Sequence, residues 1–483
     1  MRSCAALWLL GALCVGPAAR AQLAPATPPV PAEPPSPTGQ AGPPLPGSPA
    51  KPGCTQPAAS AQSASARPAS AQPASAQPAS AQPACPATKP KPWYFAITRW
   101  FDPSTAPFIP VPEIAVDPDA GTTLGIIPTV LITDENNDIR KIIAPDLIYN
   151  PYFGWGVHGR IYSYDSEDEQ WSVVTGIKER VEREFEAEYQ VGRTRQDRWS
   201  FDSSLAYDVD GTPRFYGIGN ESPAIQQTDY TAQYEILQQQ VGFNINHTWQ
   251  IQYTGRFQNT DVLPGTLAKI ASIQTRFKDL LGEGNNHLVL NRLALVYDTR
   301  DDIIIPTKGA ELVTYGGMAS RAGIFNDSLY TEAGFDGRAF WPVASKTVIA
   351  THMSLRYLPT AHDVPFWALS SIGGADTVIG GAQPLRGFGE GRFYDRDSFS
   401  SSVELRRNVV TFNAISTSVE IELAPFIDVG RVFDRTSTLP FDQIHKVYGM
   451  GFRGIARPFV VGYVDVGFGS EGAAVFTGLN YPF

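Results

Sequence analysis

The sequence predicts an all-β protein, a transmembrane antiparallel β-barrel of about sixteen strands, and three observations lead to this prediction. From residue 122 onward, apolar and polar residues alternate in stretches separated by Gly, Asp and Asn. Aromatic residues make up 11% of the chain, yet mean hydropathy is only −0.15. The chain ends in a strand-like stretch that finishes at Phe483. A barrel accounts for all three, because each strand alternates its membrane face with a polar lumen face.

Strand boundaries follow from this alternation. Residues 170–193 form either one long strand or two, and the total is sixteen if they form one. The other predicted strands are 122–132, 139–150, 155–164, 197–209, 228–238, 242–258, 287–298, 309–320, 328–341, 346–358, 401–409, 417–430, 446–457, 459–469 and 472–483.

The lumen face carries charges of both signs. In strand 417–430, Glu420 and Asp428 lie opposite the apolar face, and in strand 459–469 Asp465 does so. Charged side chains are costly in lipid, so we expect them to point inward. A polar or plugged lumen is therefore predicted.

The N-terminal quarter of the chain has a different composition. Residues 1–21 resemble a secretory signal peptide, with an apolar core and an Ala19-Arg20-Ala21 cleavage site. Residues 22–91 are rich in Pro, Ala, Ser and Gln and lack aromatic residues, which predicts a disordered tether. Residues 92–121 form an aromatic and proline-rich entry segment, and 122–483 the barrel. Both cysteines beyond the signal peptide, Cys54 and Cys85, lie in the tether, and their spacing does not decide whether they pair.

Several function classes are disfavoured. The net charge of −10 provides no basic surface for nucleic acid. The six histidines have no metal-ligand spacing, so neither a metal nor another cofactor is expected. No G-x-S-x-G motif is present, and we expect no enzymatic activity. A barrel phospholipase that uses Ser and His is left open by these patterns, and the motifs below disfavour it.

The C-terminus carries a recognisable pattern. Alternation places Val475, Leu479, Tyr481 and Phe483 on one face of the last strand. An apolar face that ends in aromatic residues is typical of a membrane barrel strand. Thr477, Gly478, Tyr481 and Phe483 together resemble the signal by which the barrel-assembly machinery of Gram-negative bacteria selects its clients.

Four internal motifs accompany this ending. They are Leu385-Arg386-Gly387-Phe388; a group with Asp298, Arg300, Asp301, Pro306 and Gly309; the loop stretch 214–220; and Phe426-Ile427-Asp428-Val429-Gly430. In this order they resemble the barrel of the BamA/TamA-type outer-membrane assembly factors, the bacterial surface antigen superfamily. The resemblance covers about residues 110–483. Such factors carry periplasmic POTRA domains before the barrel, whereas residues 22–91 have no composition for one, so the chain resembles a barrel-only member.

The resemblance implies a site inside the barrel. The loop that bears Arg386 would fold back into the lumen, where Arg386 would contact Asp428; Asp465 and Glu420 are lesser candidates for the same latch. The first strand, about 122–132, and the last, 472–483, would meet at a weak seam.

The predicted function is to aid the insertion or translocation of proteins or other molecules at the outer membrane, with the tether in the periplasm. The alternatives are a passive pore or lipid-handling barrel, and a structural anchor for the tether. The expected partners are outer-membrane lipids, the barrel-assembly machinery during biogenesis, client outer-membrane proteins and a separate periplasmic scaffold.

Overall fold

The computed structural model describes residues 109–117, 121–136, 138–322, 326–374, 385–414, 417–434 and 442–483. The predicted signal peptide, the tether and residues 92–108 of the entry segment lie outside these residues. No helix among the described residues is long and apolar enough to cross a membrane.

Nearly all of the regular structure is strand. The first strands are β1 (Ile109–Asp117), β2 (Gly121–Thr133), β3 (Ile139–Ile143), β4 (Asp146–Asn150), β5 (Gly154–Tyr164), β6 (Glu169–Lys178), β7 (Arg183–Val191), β8 (Trp199–Asp210), β9 (Arg214–Phe215), β10 (Thr228–Asn244), β11 (Trp249–Pro264) and β12 (Ala271–Ser272). The remaining strands are β13 (Gly284–Asp298), β14 (Gly309–Ala322), β15 (Asn326–Ala344), β16 (Thr347–Ala361), β17 (Ser370–Ile372), β18 (Phe393–Asp395), β19 (Asp397–Ala414), β20 (Thr417–Phe433), β21 (His445–Ala456), β22 (Val460–Gly469) and β23 (Gly472–Leu479). The described helical turns are α1 (Ile273–Arg276) and the 3₁₀ turns Ala224–Gln226 and Phe366–Ala368.

The long strands form one antiparallel sheet in chain order, which confirms the predicted all-β barrel architecture. β3 and β4 share one position between β2 and β5. β17 and β18 form a separate two-stranded sheet. At one end lie the segments 211–227 and 265–283 and the connection from β16 to β19, of which residues 362–374 and 385–396 are described, and we call this the loop end. At the other, the turn end, lie the turns 192–198 and 299–308, the start of β1 and the end of β23.

The ambiguous stretch 170–193 is two strands, β6 and β7. A tight turn between them places Val181 at φ 58°, a conformation that β-branched residues rarely adopt. No Gly, Pro or Asn marks this turn, so composition could not signal it.

A strand also lies ahead of the predicted barrel. β1 occupies residues 109–117, which the sequence assigned to the entry segment, and pairs with β2. With the division of 170–193, the ladder in the described residues has two strand positions more than the sixteen predicted. Pro110 and Pro112 concealed this strand, because proline is compatible with a strand mainly at a sheet edge.

The predicted break between strands 228–238 and 242–258 is misplaced. β10 runs without interruption to Asn244, and the turn follows it. Asn246 makes this turn, since its side-chain oxygen accepts hydrogen bonds from the backbone N–H groups of Thr248 and Trp249, each at 2.8 Å. Asn commonly stabilises turns in this way.

The outer surface is apolar and has aromatic residues towards both ends. Outward-facing side chains in mid-strand include Leu205, Leu293 and Val403, all exposed. Exposed aromatic residues at the turn end are Trp199, Trp249 and Trp341, and those at the loop end are Tyr149, Tyr152 and Trp155. An apolar band between two aromatic girdles is the surface that a membrane barrel presents to lipid.

The inner face is polar, and both ends of the lumen are covered. Ion pairs cross between strands, as where Glu332 accepts hydrogen bonds from Arg292 Nε at 2.8 Å and Arg356 Nε at 3.2 Å. At the loop end Phe215 packs on Phe366, with ring centroids 4.8 Å apart. At the turn end, Ile305 from the turn 299–308 packs beneath β21 and β22.

Candidate functional site in the lumen

The segment 362–396, of which residues 362–374 and 385–396 are described, carries the motif Leu385-Arg386-Gly387-Phe388, which lies inside the barrel and which we call the tip. Leu385 has φ 61°, and its carbonyl accepts hydrogen bonds from Gly387 N at 2.7 Å and Phe388 N at 3.1 Å. Leu385 and Arg386 are fully buried, and Phe388 nearly so. The tip is therefore a tight turn packed inside the lumen.

The tip arginine is bound by the inner face of β20. Arg386 Nη2 donates to Asp428 Oδ1 at 2.8 Å, while its Nε and its backbone N each donate to Asp428 Oδ2 at 3.0 Å. Its guanidinium also lies over the Phe426 ring, 3.6 Å from the centroid. Two parallel hydrogen bonds fix the orientation of a guanidinium as well as its position.

Two further carboxylates reach the same guanidinium. Arg386 Nη1 donates to Asp465 Oδ2 at 2.7 Å and also contacts Glu404. Arg453 Nη2 donates to Glu404 Oε1 at 3.0 Å, and Arg406 Nε to Glu404 Oε2 at 2.8 Å. We call these residues the lumen ion network: Arg386, Arg406, Arg453, Glu404, Asp428 and Asp465. All are buried, and three cations balance three anions, as buried charges require.

Strand alternation explains how these side chains meet. Glu404, Arg406, Asp428, Arg453 and Asp465 all occupy inward positions of β19 to β22. Glu404 lies opposite Phe426 in the ladder, which brings its carboxylate beside the ring that supports Arg386. The tip thus joins four consecutive strands.

Glycines on β22 make room for the tip. A Cβ at Gly467 would lie 2.0 Å from the Arg386 carbonyl oxygen, and one at Gly469 would lie 2.8 Å from the Gly387 oxygen. Either contact is far below van der Waals distance. The backbone of the tip therefore packs directly on the backbone of the wall.

The structure brings together three of the four latch residues predicted from the sequence. Arg386, Asp428 and Asp465 come together, whereas Glu420 lies apart, where it accepts hydrogen bonds from Arg457 Nε at 3.0 Å and from Asn408. The sequence missed Glu404, Arg406 and Arg453 as partners. Inward alternation was the available signal, but it marks every inward charge and does not say which ones meet the tip.

The C-terminus departs from its predicted course. β23 ends at Leu479, Asn480 has φ 68°, and the last residues turn into the lumen. Arg406 Nη2 donates to a main-chain oxygen of Phe483 at 3.0 Å, and Arg406 Cζ lies 3.9 Å from the Tyr481 ring centroid. The prediction that Tyr481 and Phe483 face the membrane is therefore wrong. Thr477 and Gly478 stay in β23, opposite Val464 and Tyr463.

We predict that a spin label will detect this inward turn. In a protein with Cys54 and Cys85 replaced by Ser, a nitroxide on the Tyr481→Cys variant should collide little with oxygen dissolved in lipid. The Phe468→Cys variant is the control, because Phe468 is 57% exposed on the outer face. Equal collision rates at the two positions would mean that the tail follows the membrane face instead.

The group around Asp298 shapes the long turn 299–308. Arg300 Nη2 donates to Asp298 Oδ2 at 2.8 Å, and Asp301 Oδ1 accepts hydrogen bonds from Thr307 N at 2.8 Å and Lys308 N at 3.0 Å. Pro306 is buried. Gly309 has φ 93°, and a Cβ there would lie 2.1 Å from the Thr299 carbonyl oxygen. These residues fold the turn beneath the lumen, away from Arg386.

The stretch 214–220 covers the loop end. Asn220 Oδ1 accepts a hydrogen bond from Val432 N at 3.0 Å, and Gly219 N donates to the Tyr394 carbonyl at 2.7 Å. Arg392 joins this cover to the β22–β23 turn, because its Nη1 donates to Ser222 Oγ at 3.0 Å and its Nε donates to Glu471 Oε2 at 2.7 Å.

Family comparison agrees with this architecture. A model of the Omp85 superfamily domain matches residues 170–455, more than half of the chain. The chain belongs to the Omp85 superfamily. Omp85 barrels are outer-membrane proteins that mediate protein insertion or secretion. The matched range contains Arg386, Asp428, Glu404 and Arg453.

A comparison with solved structures finds BamA and CdiB proteins. BamA from Haemophilus ducreyi lacking POTRA domains 1–3 is 13% identical, with a TM-score of 0.44, over 73% of this chain and 74% of that chain. CdiB from Escherichia coli is 12% identical, with a TM-score of 0.45, over 77% of this chain and 66% of that chain. CdiB from Acinetobacter baumannii is 14% identical, with a TM-score of 0.41, over 76% of this chain and 58% of that chain. No curated protein sequence matches the chain.

Proposed function

We propose that this Omp85 barrel inserts or translocates polypeptides at the outer membrane through the junction of its first and last strands. The observation that carries the proposal is the seam. β1 and β23 approach with Cα atoms within 8 Å, yet among the described residues no ladder pairs them. The strand at the seam is thus β1, residues 109–117, and not the predicted 122–132.

Unpaired strand edges can bind another strand. An edge presents a row of free N–H and C=O groups, and an extended polypeptide that adds to it gains main-chain hydrogen bonds. Because both seam edges lie in a barrel wall with an apolar outer face, a strand that pairs there enters lipid with its backbone satisfied. This is the chemical requirement for inserting a strand into a membrane.

The covered lumen disfavours the alternative of a passive pore. Three described parts of the chain lie in the lumen or pack against its turn end, namely the tip, the C-terminal tail and the turn 299–308. The lumen ion network binds the tip to four strands, so an open state requires these contacts to break. Anchoring the tether alone would need neither the network nor an unpaired seam.

Reconstitution tests the proposal. The purified full chain in liposomes should assemble a denatured client barrel faster than protein-free liposomes do, as judged by protease resistance and heat-modifiable migration of the client. Steady single-channel conductance without client assembly would contradict the proposal and support a pore. A chain with neither activity would support the anchor.

The orientation of the barrel gives a separate prediction. β1 begins and β23 ends at the turn end, so we propose that the tether and the C-terminus both lie in the periplasm. Elastase, which cuts after small residues such as Ala, should cut the protein of intact cells at Ala268, which is exposed at the loop end, and spare Ala59 and Ala64 in the tether. Permeabilised cells supply the control, since the tether sites should then be cut. Cleavage at Ala59 or Ala64 in intact cells would reverse the topology.

The partners of this activity are also proposals. We propose client outer-membrane proteins as substrates, the surrounding lipids as solvent for the inserted strand, and the barrel-assembly machinery for biogenesis of the chain itself. A separate periplasmic scaffold would take the place of POTRA domains. Cross-linking from the tether in cells, followed by mass spectrometry, would identify such a scaffold.

A further inference from the structure

Two prolines lie in the strand that borders the seam. In the β1–β2 ladder, Pro110 lies opposite Pro128 and Pro112 opposite Ile126. Antiparallel pairs alternate between those that exchange hydrogen bonds and those that do not. Since neither Pro110 nor Pro128 has an N–H group, their pair must be of the second kind. The hydrogen-bonded pairs are then those of Ile109 and Val111.

This alternation decides which main-chain groups face β23. Residues 110, 112, 114 and 116 share the same phase, so their main-chain groups point away from β2 and towards the seam. At Pro110 and Pro112 that edge has a carbonyl acceptor but no donor. Among the described residues of β1, Ile114 and Val116 alone have N–H groups that point across the seam.

The half of β1 that lacks donors lies beside the end of β23. β1 begins at the turn end, where β23 stops at Leu479 and Asn480 leads the tail into the lumen. Asn480 N still donates to the Val461 carbonyl on β22 at 2.7 Å, so the tail leaves the wall only after this residue. At the turn end, therefore, β1 lacks N–H donors and β23 has no further residues to pair with it.

We propose that Pro110 and Pro112 hold the turn-end half of the seam open and leave a lateral opening next to the start of β1 and the end of β23. If the proposed function holds, the occupant is a strand of a client polypeptide whose N–H groups donate to the carbonyls of Pro110 and Pro112. Such a strand enters from the side on which the tether lies.

Restoring the missing donors tests the proposal. In the Pro110→Thr/Pro112→Thr double variant, two N–H groups face β23, and we expect amide hydrogen exchange in β23 to slow by about tenfold or more as the seam closes. The matched control is Pro425→Thr in β20, a strand that has neighbours on both sides. This control should leave exchange in β23 unchanged.

The outcomes separate this inference from the proposed function. Unchanged exchange in β23 of the double variant, in protein that still shows heat-modifiable migration, would overturn the role of the prolines. Slower exchange supports it whether or not any client is added. Client assembly is measured separately: its fall in the double variant supports the seam as the route, and a wild-type chain that assembles no client would refute the proposed function alone.

Discussion

Replacing Arg386 by Ala should destabilise the barrel by about 3–5 kcal/mol, because it leaves carboxylates without their cation in a site that excludes water. Asp428 loses the most, since the Arg386 side chain supplies it with two hydrogen bonds. Ser402 Oγ, at 2.6 Å, and the backbone N of residue 386, at 3.0 Å, would remain as neutral donors. Glu404 and Asp465 would keep their ion pairs with Arg453, so each should contribute less to the destabilisation than Asp428 does.

A double-mutant cycle isolates the Arg386–Asp428 pair. Urea unfolding of Arg386→Ala, Asp428→Ala and the double variant should give a coupling energy of about 1–3 kcal/mol, because residues in contact are not additive. The control cycle uses Arg457 and Glu420, a pair at 3.0 Å whose side chains are 47% and 21% exposed. Exposed pairs contribute about 0–1 kcal/mol. Additive effects at Arg386 and Asp428 would rule out the latch.

The same variants distinguish bracing of the barrel from gating. If Arg386 only braces the wall, client assembly in the reconstituted system should fall in proportion to the fraction unfolded. If the tip also holds the lumen closed, Arg386→Ala should change the assembly rate or open a conductance under conditions in which the barrel is fully folded. The Arg386→Lys variant helps here, because lysine keeps the charge and loses the bidentate geometry.

Replacing Gly467 by Ala should expel the tip of segment 362–396 from the lumen. The new Cβ would lie 2.0 Å from the carbonyl oxygen of Arg386 and 2.6 Å from its carbonyl carbon, and neither backbone atom can rotate away. Overpacking of this kind commonly costs about 1–3 kcal/mol. Because Arg386 is fully buried in the wild type, trypsin should cut after Arg386 only in the variant.

Gly316→Ala is the matched control for this prediction. Gly316 also lies in a barrel strand, but a Cβ there would find its nearest atom, the Glu332 carbonyl oxygen, at an ordinary 3.8 Å. We expect trypsin to leave the bond after Arg386 uncut in this variant, as in the wild type. If the Gly467→Ala variant resists trypsin as well as the control does, the tip accommodates the methyl group without leaving the lumen.

The two substitutions test different contacts of one segment. Arg386→Ala removes attraction between the tip and the wall, whereas Gly467→Ala adds repulsion and leaves every charge in place. If both variants release the tip, its placement depends on the ion network and on backbone packing together. If the rate of client assembly changes by the same factor in both variants, the position of the tip affects function whether or not its charge is retained.

The sequence by itself determined the class of the protein and the faces of its strands. Alternation has a period of two residues, so inward Asp428 and outward Ile427 could be read from neighbours in the chain. The same periodicity, with the aromatic content, predicted a membrane barrel. The tip motif and the Phe426–Gly430 motif nominated Arg386 and Asp428, which the structure brings together.

Tertiary structure decided what no local pattern contains. Glu404 is a partner of Arg386 and Glu420 is not, although alternation places both inward, because the tip meets the wall beside Ser402 and Glu404, and Glu420 lies nearer the turn end beside Arg457. The tail turns inward because Arg406, far away in the sequence, binds Phe483 and Tyr481 there, and this contact outweighs continued alternation. β1 is a strand despite Pro110 and Pro112, because an edge that faces an unpaired seam is where proline costs least.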